Sequence, residues 1–157
     1  MMDEEFKMKG HVRIESREKG GDWKTIIDKD NLIVNSGKEF VMDRVFKTNS
    51  EYIGWFGVGS SLTTSNSTDT DLGYPLNITS TAAPHKVFTS IADSGTKFTI
   101  RLDLSTVEPS TQPVSISEVG LFGAISGGSL FSRVVHVPIT KNNTTELRYY
   151  YDINVES

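Results

Sequence analysis

Apolar and polar residues alternate with a period of two along most of this chain. The clearest examples are segments 97–104 and 146–155, in which every second residue is a large apolar one. In a β-strand this period places the apolar side chains on one face and the polar side chains on the other. Since strands of parallel sheets are usually apolar on both faces, the pattern favours an antiparallel sheet.

Turn residues separate the alternating segments at hairpin spacing. Asp93–Gly95, Gly127–Gly128 and Asn142–Asn143 each lie between two such segments, the first of them between 85–92 and 97–104. About eight strands are predicted, which is enough for an antiparallel β-sandwich or a jelly-roll-like fold. The chain length of 157 residues fits a single domain spanning the whole sequence.

Two segments depart from the alternation. Ser36 and Glu39 have the spacing of a capping box, and the apolar residues that follow predict one short helix over residues 36–47. The segment 59–84 is rich in Ser, Thr, Asn and Asp, which indicates a long polar loop leaving the core. Loops of this length are uncommon in compact domains unless they have a function.

The composition excludes several classes of protein and argues against others. There is no cysteine, so disulfides and thiolate metal sites are excluded. The net charge is -4 and the basic residues are scattered, which argues against a nucleic-acid partner. No apolar run approaches the roughly 20 residues that cross a bilayer, and residues 1–5 are too acidic for a signal peptide, so no membrane association is expected.

The sequence offers little for catalysis or metal binding. The three histidines are far apart, and no nucleophile-elbow motif is present. Asp69 and Asp71 allow two interpretations, a partial calcium site or a turn in a polar loop. The second is favoured because calcium needs six to eight oxygen ligands. We therefore expect no catalytic residue, no cofactor and no metal.

Aromatic residues leave a second functional possibility open. A carbohydrate-binding surface stacks sugars on exposed rings, whereas most aromatic residues belong to the core. In the last alternating segment Tyr149 and Tyr151 share the apolar face, so Tyr150 is the one predicted to point outward. Trp23 and Trp55 are the other candidates for such a surface.

The most informative local feature is the segment Val114–Phe122. Its alternation changes phase near Glu118 and Gly120, which predicts either a β-bulge or a strand covered on both faces. An inward-pointing Glu118 needs partners, because an unpaired buried carboxylate is costly. Arg44 on the predicted helix or Arg133 on the next strand are the candidate cations. These residues are assigned a structural role.

Four segments of the chain, taken in their order and spacing, are similar to those of a known class of protein. They are residues 31–37 leading into the helix, 52–59 followed by the polar loop with Asp69–Leu72, 116–122, and 130–141 before the final alternating strand. Together they resemble small β-rich virion structural proteins of tailed phages, of the tail, baseplate, fibre-attachment or head-decoration type. The resemblance covers about residues 31–155 and leaves out the first thirty.

The resemblance implies a β-sandwich that assembles into rings or trimers, without cofactor or catalysis. Such a protein is made in the host cytoplasm and located on the virion. Its partners would be other copies of itself and other virion proteins, with a host-surface glycan as a further candidate. Residues 1–30, whose first strand begins with Phe6 and Met8, are expected to provide an exchanged or edge-adding strand.

Two other functions compete with this expectation. The first is a carbohydrate- or receptor-binding β-sandwich module, which would present aromatic side chains in a groove. The second is a small β-sandwich enzyme, which would need His and carboxylate side chains together on one sheet face. The sequence shows no such cluster.

Overall fold

Antiparallel strands dominate the computed structural model, which describes residues 7–47, 51–79 and 83–156. Within these residues there are ten strands and one helix. They are β1 (Lys7–Glu18), β2 (Lys24–Ile33), α1 (Asn35–Phe46), β3 (Trp55–Gly59), β4 (Pro75–Leu76), β5 (His85–Val87), β6 (Ser90–Asp93), β7 (Lys97–Leu104), β8 (Val114–Phe122), β9 (Leu130–Lys141) and β10 (Thr145–Glu156). The predicted fold class, mainly β with one short helix, is confirmed.

The strands form one curled sheet in the order β4-β3-β8-β9-β2-β1-β10-β7-β6, with β5 also beside β3. Strand β2 joins its two halves. Residues 24–31 of β2 pair with β1, whereas Leu32 and Ile33 pair with β9. The two halves pack face to face as in a sandwich, because one core cluster takes its side chains from strands of both.

The core follows from the alternation of apolar residues. On β10 the inward residues Leu147, Tyr149 and Tyr151 are fully buried, and Val12 and Ile14 of the neighbouring strand β1 lie beside Tyr151 and Tyr149. The other half of the sheet contributes Phe56, Val58, Val119 and Leu121, among others. The periodicity therefore identified the inner face of most long strands.

The predicted strand 85–92 is divided in two. His85–Val87 pairs with β3 in one half of the sheet, and Ser90–Asp93 pairs with β7 in the other half. A further two-residue strand, Pro75–Leu76, lies within the segment predicted as a loop. These differences explain why the structure has ten strands rather than about eight.

The predicted helix is present, but the predicted capping box does not form. Helix α1 spans Asn35–Phe46 and its N-cap position is Val34, without a side-chain cap. The Ser36 hydroxyl instead donates to the Leu130 carbonyl oxygen at 2.6 Å. The Ser36 hydroxyl therefore bonds to β9 and not to the backbone at the start of the helix.

The first strand is an interior strand of the sheet. β1 is paired along one side with β10 and along the other side with β2, so both of its edges are hydrogen-bonded. Within one chain β1 is therefore not an edge strand, whereas exchange of the N-terminal strand between copies stays a prediction. Phe6, which was predicted to start the strand, lies outside the described residues.

Two leucines, one buried and one exposed, test the position of the core. Leu102 is fully buried on β7, whereas Leu62 in the polar segment is 63% exposed. We expect Leu102→Ala to lower the free energy of unfolding by about 2–5 kcal/mol, through lost apolar contacts and the cavity left behind. Leu62→Ala should change it by less than about 0.5 kcal/mol. Urea unfolding at equilibrium measures both, and equal effects would contradict this core.

Candidate functional site

The Glu118 carboxylate lies at a break in the β8–β9 ladder. The pairing register shifts between Ile116 and Glu118, and residues 116–123 are buried on both faces of the strand. The Glu118 residue itself has no solvent-exposed area. A register shift and double-sided burial therefore coincide at the position where the sequence alternation changes phase.

Four donors surround this carboxylate. Oε1 accepts from the Gly73 backbone N–H at 2.8 Å and from Arg133 Nε at 2.9 Å. Oε2 accepts from the backbone N–H groups of Ser61 and Tyr74, at 3.0 and 2.8 Å. Two carboxylate oxygens offer about four lone-pair positions, so this group has none left for a substrate. Its role is structural.

Arg133 extends the network into the polar segment. Its Nη1 donates to Asp69 at 2.9 Å and its Nη2 to the Thr63 carbonyl oxygen at 2.9 Å. Burial on its own lowers the pKa of Arg133, but the hydrogen bonds to Glu118 and Asp69 outweigh this effect and raise the pKa. Asp69, one of the two carboxylates of the possible calcium site, is thus an ion-pair partner of Arg133.

Further contacts hold the polar segment 59–84 on the sheet. The Ser117 hydroxyl donates to the Ser61 carbonyl oxygen at 2.8 Å, and the Asn35 N–H at the start of α1 donates to Ser67 at 2.8 Å. Leu72 and Ile78 are buried. The described part of this segment, which excludes residues 80–82, is therefore packed rather than extended away from the core. We call residues 60–74 the anchored loop.

Glycines make room for the network. Gly59 is paired with Glu118 across the β3–β8 ladder, and a Cβ atom there would lie 2.4 Å from Glu118 Oε2. A Cβ on Gly73 would lie 2.4 Å from the Ser61 hydroxyl. At Gly120 it would lie 3.0 Å from Leu72. These glycines are the sequence signal that could have located the site, because each allows a close approach of backbone and side chain.

The structure brings together three of the four residues assigned a structural role from sequence. Glu118 and Arg133 form the buried pair, and Gly120 lies beside it against Leu72. Arg44 is exposed on α1, and the cation at Glu118 is Arg133.

The three histidines occupy three different environments. His11 is partly exposed between Asp28 and Asp30, and its hydrogen bond to Asp30 is the main reason that its pKa is raised. Burial lowers the pKa of both His85 and His136. Within the described residues no group of three or more His, Cys, Asp or Glu side chains is placed to hold a metal ion.

The rings of the aromatic residues that are candidates for sugar stacking are in contact with other side chains of the chain. Tyr149 and Tyr151 are in the core. The guanidinium of Arg13 lies 4.3 Å from the centre of the Tyr150 ring. The Trp23 ring has two guanidinium neighbours, those of Arg17 at 4.4 Å and Arg148 at 4.2 Å. Trp55 packs against Tyr52 with the ring centres 5.3 Å apart.

Lys141 is a second buried cation that the sequence analysis missed. It ends β9, has no exposed area, and donates to the Asn142 carbonyl oxygen at 3.0 Å. Burial lowers its pKa to about 8, although Glu108 and Glu146 oppose the shift. No local pattern distinguishes this lysine from one on a strand end in water.

Comparison of the chain with protein-family models, curated proteins and solved structures finds no match in any of the three. Among the helices of the described residues, none has the length and apolar character needed to span a membrane.

Removing Arg133 should destabilise the protein strongly. Arg133→Met leaves the Glu118 charge buried without its cation, and such a change costs about 3–5 kcal/mol. Arg101→Met is the matched control, because Arg101 pairs with Asp103 at the partly exposed surface and should cost less than about 1 kcal/mol. Urea unfolding gives the energies, and amide hydrogen exchange at Gly73 and Tyr74 reports release of the anchored loop. Costs that do not differ would refute the role given to this pair.

Lys141 should make stability depend on pH. Its ordinary pKa is 10.5 and its folded pKa is about 8, so between these values the unfolded chain binds more protons. Stability should therefore rise from pH 8 towards 10.5, by about 1–3 kcal/mol. In Lys141→Met this rise should be absent. Urea unfolding of both proteins across this range measures the difference, and parallel curves would contradict the burial of a charged lysine.

Proposed function

We propose that this chain is a structural subunit of a virion of a tailed phage or an archaeal virus. It would serve as a tail, baseplate, fibre or capsid-decoration component, acting by assembly and not by catalysis. The order of segments 31–37, 52–59, 116–122 and 130–141 supports this proposal through its resemblance to such proteins. The saturated Glu118–Arg133 pair supports it as well, because it holds a surface loop in one position.

The observation that carries the proposal is an uncovered apolar surface on α1. Met42, Val45 and Phe46 are all more than half exposed, and Phe46 reaches 75%. Apolar side chains that are exposed next to one another often mark an interaction surface, whereas single exposed apolar residues are normal. We call these three side chains the α1 knob.

An apolar cleft on the same chain could receive such a knob. It has a volume of about 170 Å³ and lies where the edge strand β6 and its neighbour β7 meet the other half of the sheet. Its lining is entirely apolar and consists of Ile53, Ile91, Phe98, Ile100, Leu121, Phe131 and Ile153. We call it the β6 cleft.

A second copy of the chain is the occupant that we propose for this cleft. One molecule carries both a protruding apolar group and an apolar recess, so a knob-to-cleft contact between copies satisfies both. Such head-to-tail contacts generate rings when the rotation closes and extended lattices when it does not. Either outcome suits a repeated virion component.

The alternative, a carbohydrate- or receptor-binding module, receives less support. It requires ring faces that are free to stack on a sugar. Arginine side chains lie over the rings of Tyr150 and Trp23, which are the outward-facing candidates on one half of the sheet.

Association of the purified protein tests the knob. Phe46→Ser should weaken self-association at least about tenfold, because burial of an aromatic side chain is worth about 1.5–3 kcal/mol. Leu62→Ser is the control, since Leu62 is similarly exposed but lies outside the knob. Light scattering over a range of concentrations measures both variants. Equal weakening, or none in Phe46→Ser, would exclude the α1 knob as the contact.

Purified particles of the source virus decide the broader proposal. Mass spectrometry should detect the chain in many copies per particle, and electron microscopy should show it at repeated positions. Absence from particles, together with a monomeric protein in infected cells, would refute the virion assignment.

A further inference from the structure

A pocket of about 230 Å³ opens beside the anchored loop, and neither the Glu118 network nor the proposed assembly contact uses it. Asp71 on the loop forms one side and His85 of β5 another. Phe122, at the end of β8, and Gly128, in the turn before β9, also line the pocket. The pocket therefore collects side chains from four separate parts of the chain.

His85 is held in one orientation. Its Nδ1 lies 2.7 Å from the Ala124 carbonyl oxygen, and because a carbonyl only accepts, this nitrogen carries the proton. The imidazole stacks on Phe122 with ring centres 3.8 Å apart. It also lies against Gly57, where a Cβ would come within 2.9 Å of the ring. The neutral ring therefore offers its other nitrogen, Nε2, as an acceptor.

That acceptor is unused within the described parts of the chain. No hydrogen bond to His85 Nε2 occurs there, whereas Nδ1 is fully committed. Burial lowers the pKa of His85, so the ring is neutral and Nε2 keeps its lone pair at neutral pH. His85 lines the pocket, so a donor bound there can reach this nitrogen.

The charge of the pocket is negative. Asp71 is exposed, and one of its oxygens accepts from the Leu72 N–H at 2.7 Å, which fixes the carboxylate at the rim. None of the described residues that line the pocket is Lys or Arg. Pro75 and Pro84 form walls without a backbone N–H donor. The pocket thus offers acceptors, a negative charge and apolar walls, together with the hydroxyl groups of Thr70 and Ser126.

We infer that this pocket binds a cationic nitrogen group on a short apolar stem, either an alkylammonium or an alkylguanidinium. The cation is matched by the Asp71 carboxylate and donates to His85 Nε2, and charge-assisted bonds of this kind are the stronger ones. The stem packs on Pro75 and Pro84. Lysine and arginine side chains of a partner protein and free amines share this chemistry.

NMR titration of the full-length ¹⁵N-labelled protein with n-butylammonium tests the site. Saturable shifts are expected at Asp71, His85 and Gly128, while 1-pentanol and pentanoate should produce none of them. Asp71→Asn should weaken binding at least about tenfold through loss of the charge. His85→Asn keeps a donor for Ala124 but lacks Nε2, and should weaken binding as well.

The control for Asp71→Asn is Asp93→Asn. Asp93 is also exposed and also accepts a nearby backbone N–H, that of Gly95, but it lies on β6 away from the pocket. It should bind n-butylammonium like the wild type. Equal affinity of wild type and Asp71→Asn, or equal binding of pentanoate, would overturn the inference.

A second ligand separates the two sources of the cation. N-acetyl-lysine methylamide carries the same ammonium group on a peptide-like backbone. If it binds at least as tightly as n-butylammonium, a protein side chain is the natural occupant. If only the free amine binds, the occupant is a small amine. Failure of both would overturn the inference, and neither result depends on whether the chain assembles on a virion.

Discussion

The buried Glu118 carboxylate ties β8, β9 and the anchored loop together. Its four donors come from Arg133 on β9 and from backbone N–H groups of the anchored loop, so satisfying one side chain fixes three parts of the chain together. Compared with apolar side chains of similar size, such a pair contributes little net stability. It does fix position, because any displacement of the loop would leave buried donors and acceptors unpaired.

Small residues make this geometry possible. Gly59 leaves space for the carboxylate, Gly73 lets the loop backbone approach Ser61, and Gly120 accepts the buried Leu72. A methyl group at any of these positions would displace atoms of the network or of the core beneath it. The glycines, the ion pair and the buried apolar residues of the loop therefore specify the same conformation, and this agreement is what makes a long polar segment fold in one way.

The outer surface has regions in which side chains pair with one another and regions in which apolar side chains are exposed to water. Around Trp23 and Tyr150, arginines cover the aromatic rings, and two of these arginines, Arg17 and Arg148, are paired with carboxylates. The α1 knob and the β6 cleft leave apolar area in water. This contrast is the physical basis for proposing assembly through α1 and β6, while the acceptor-rich pocket at His85 is a separate feature of the anchored-loop side.

The fold class, the inner faces of strands such as β7 and β10 and the unusual position of Glu118 are predictable from the sequence, because alternation and phase are local properties of a strand. The partners of Glu118 follow only from the packing of distant segments. Arg133 rather than Arg44 meets Glu118, and the loop donors come from residues 44 to 57 positions away in the chain. No local pattern encodes such partners, since they depend on which strands become neighbours and on what each close approach leaves room for.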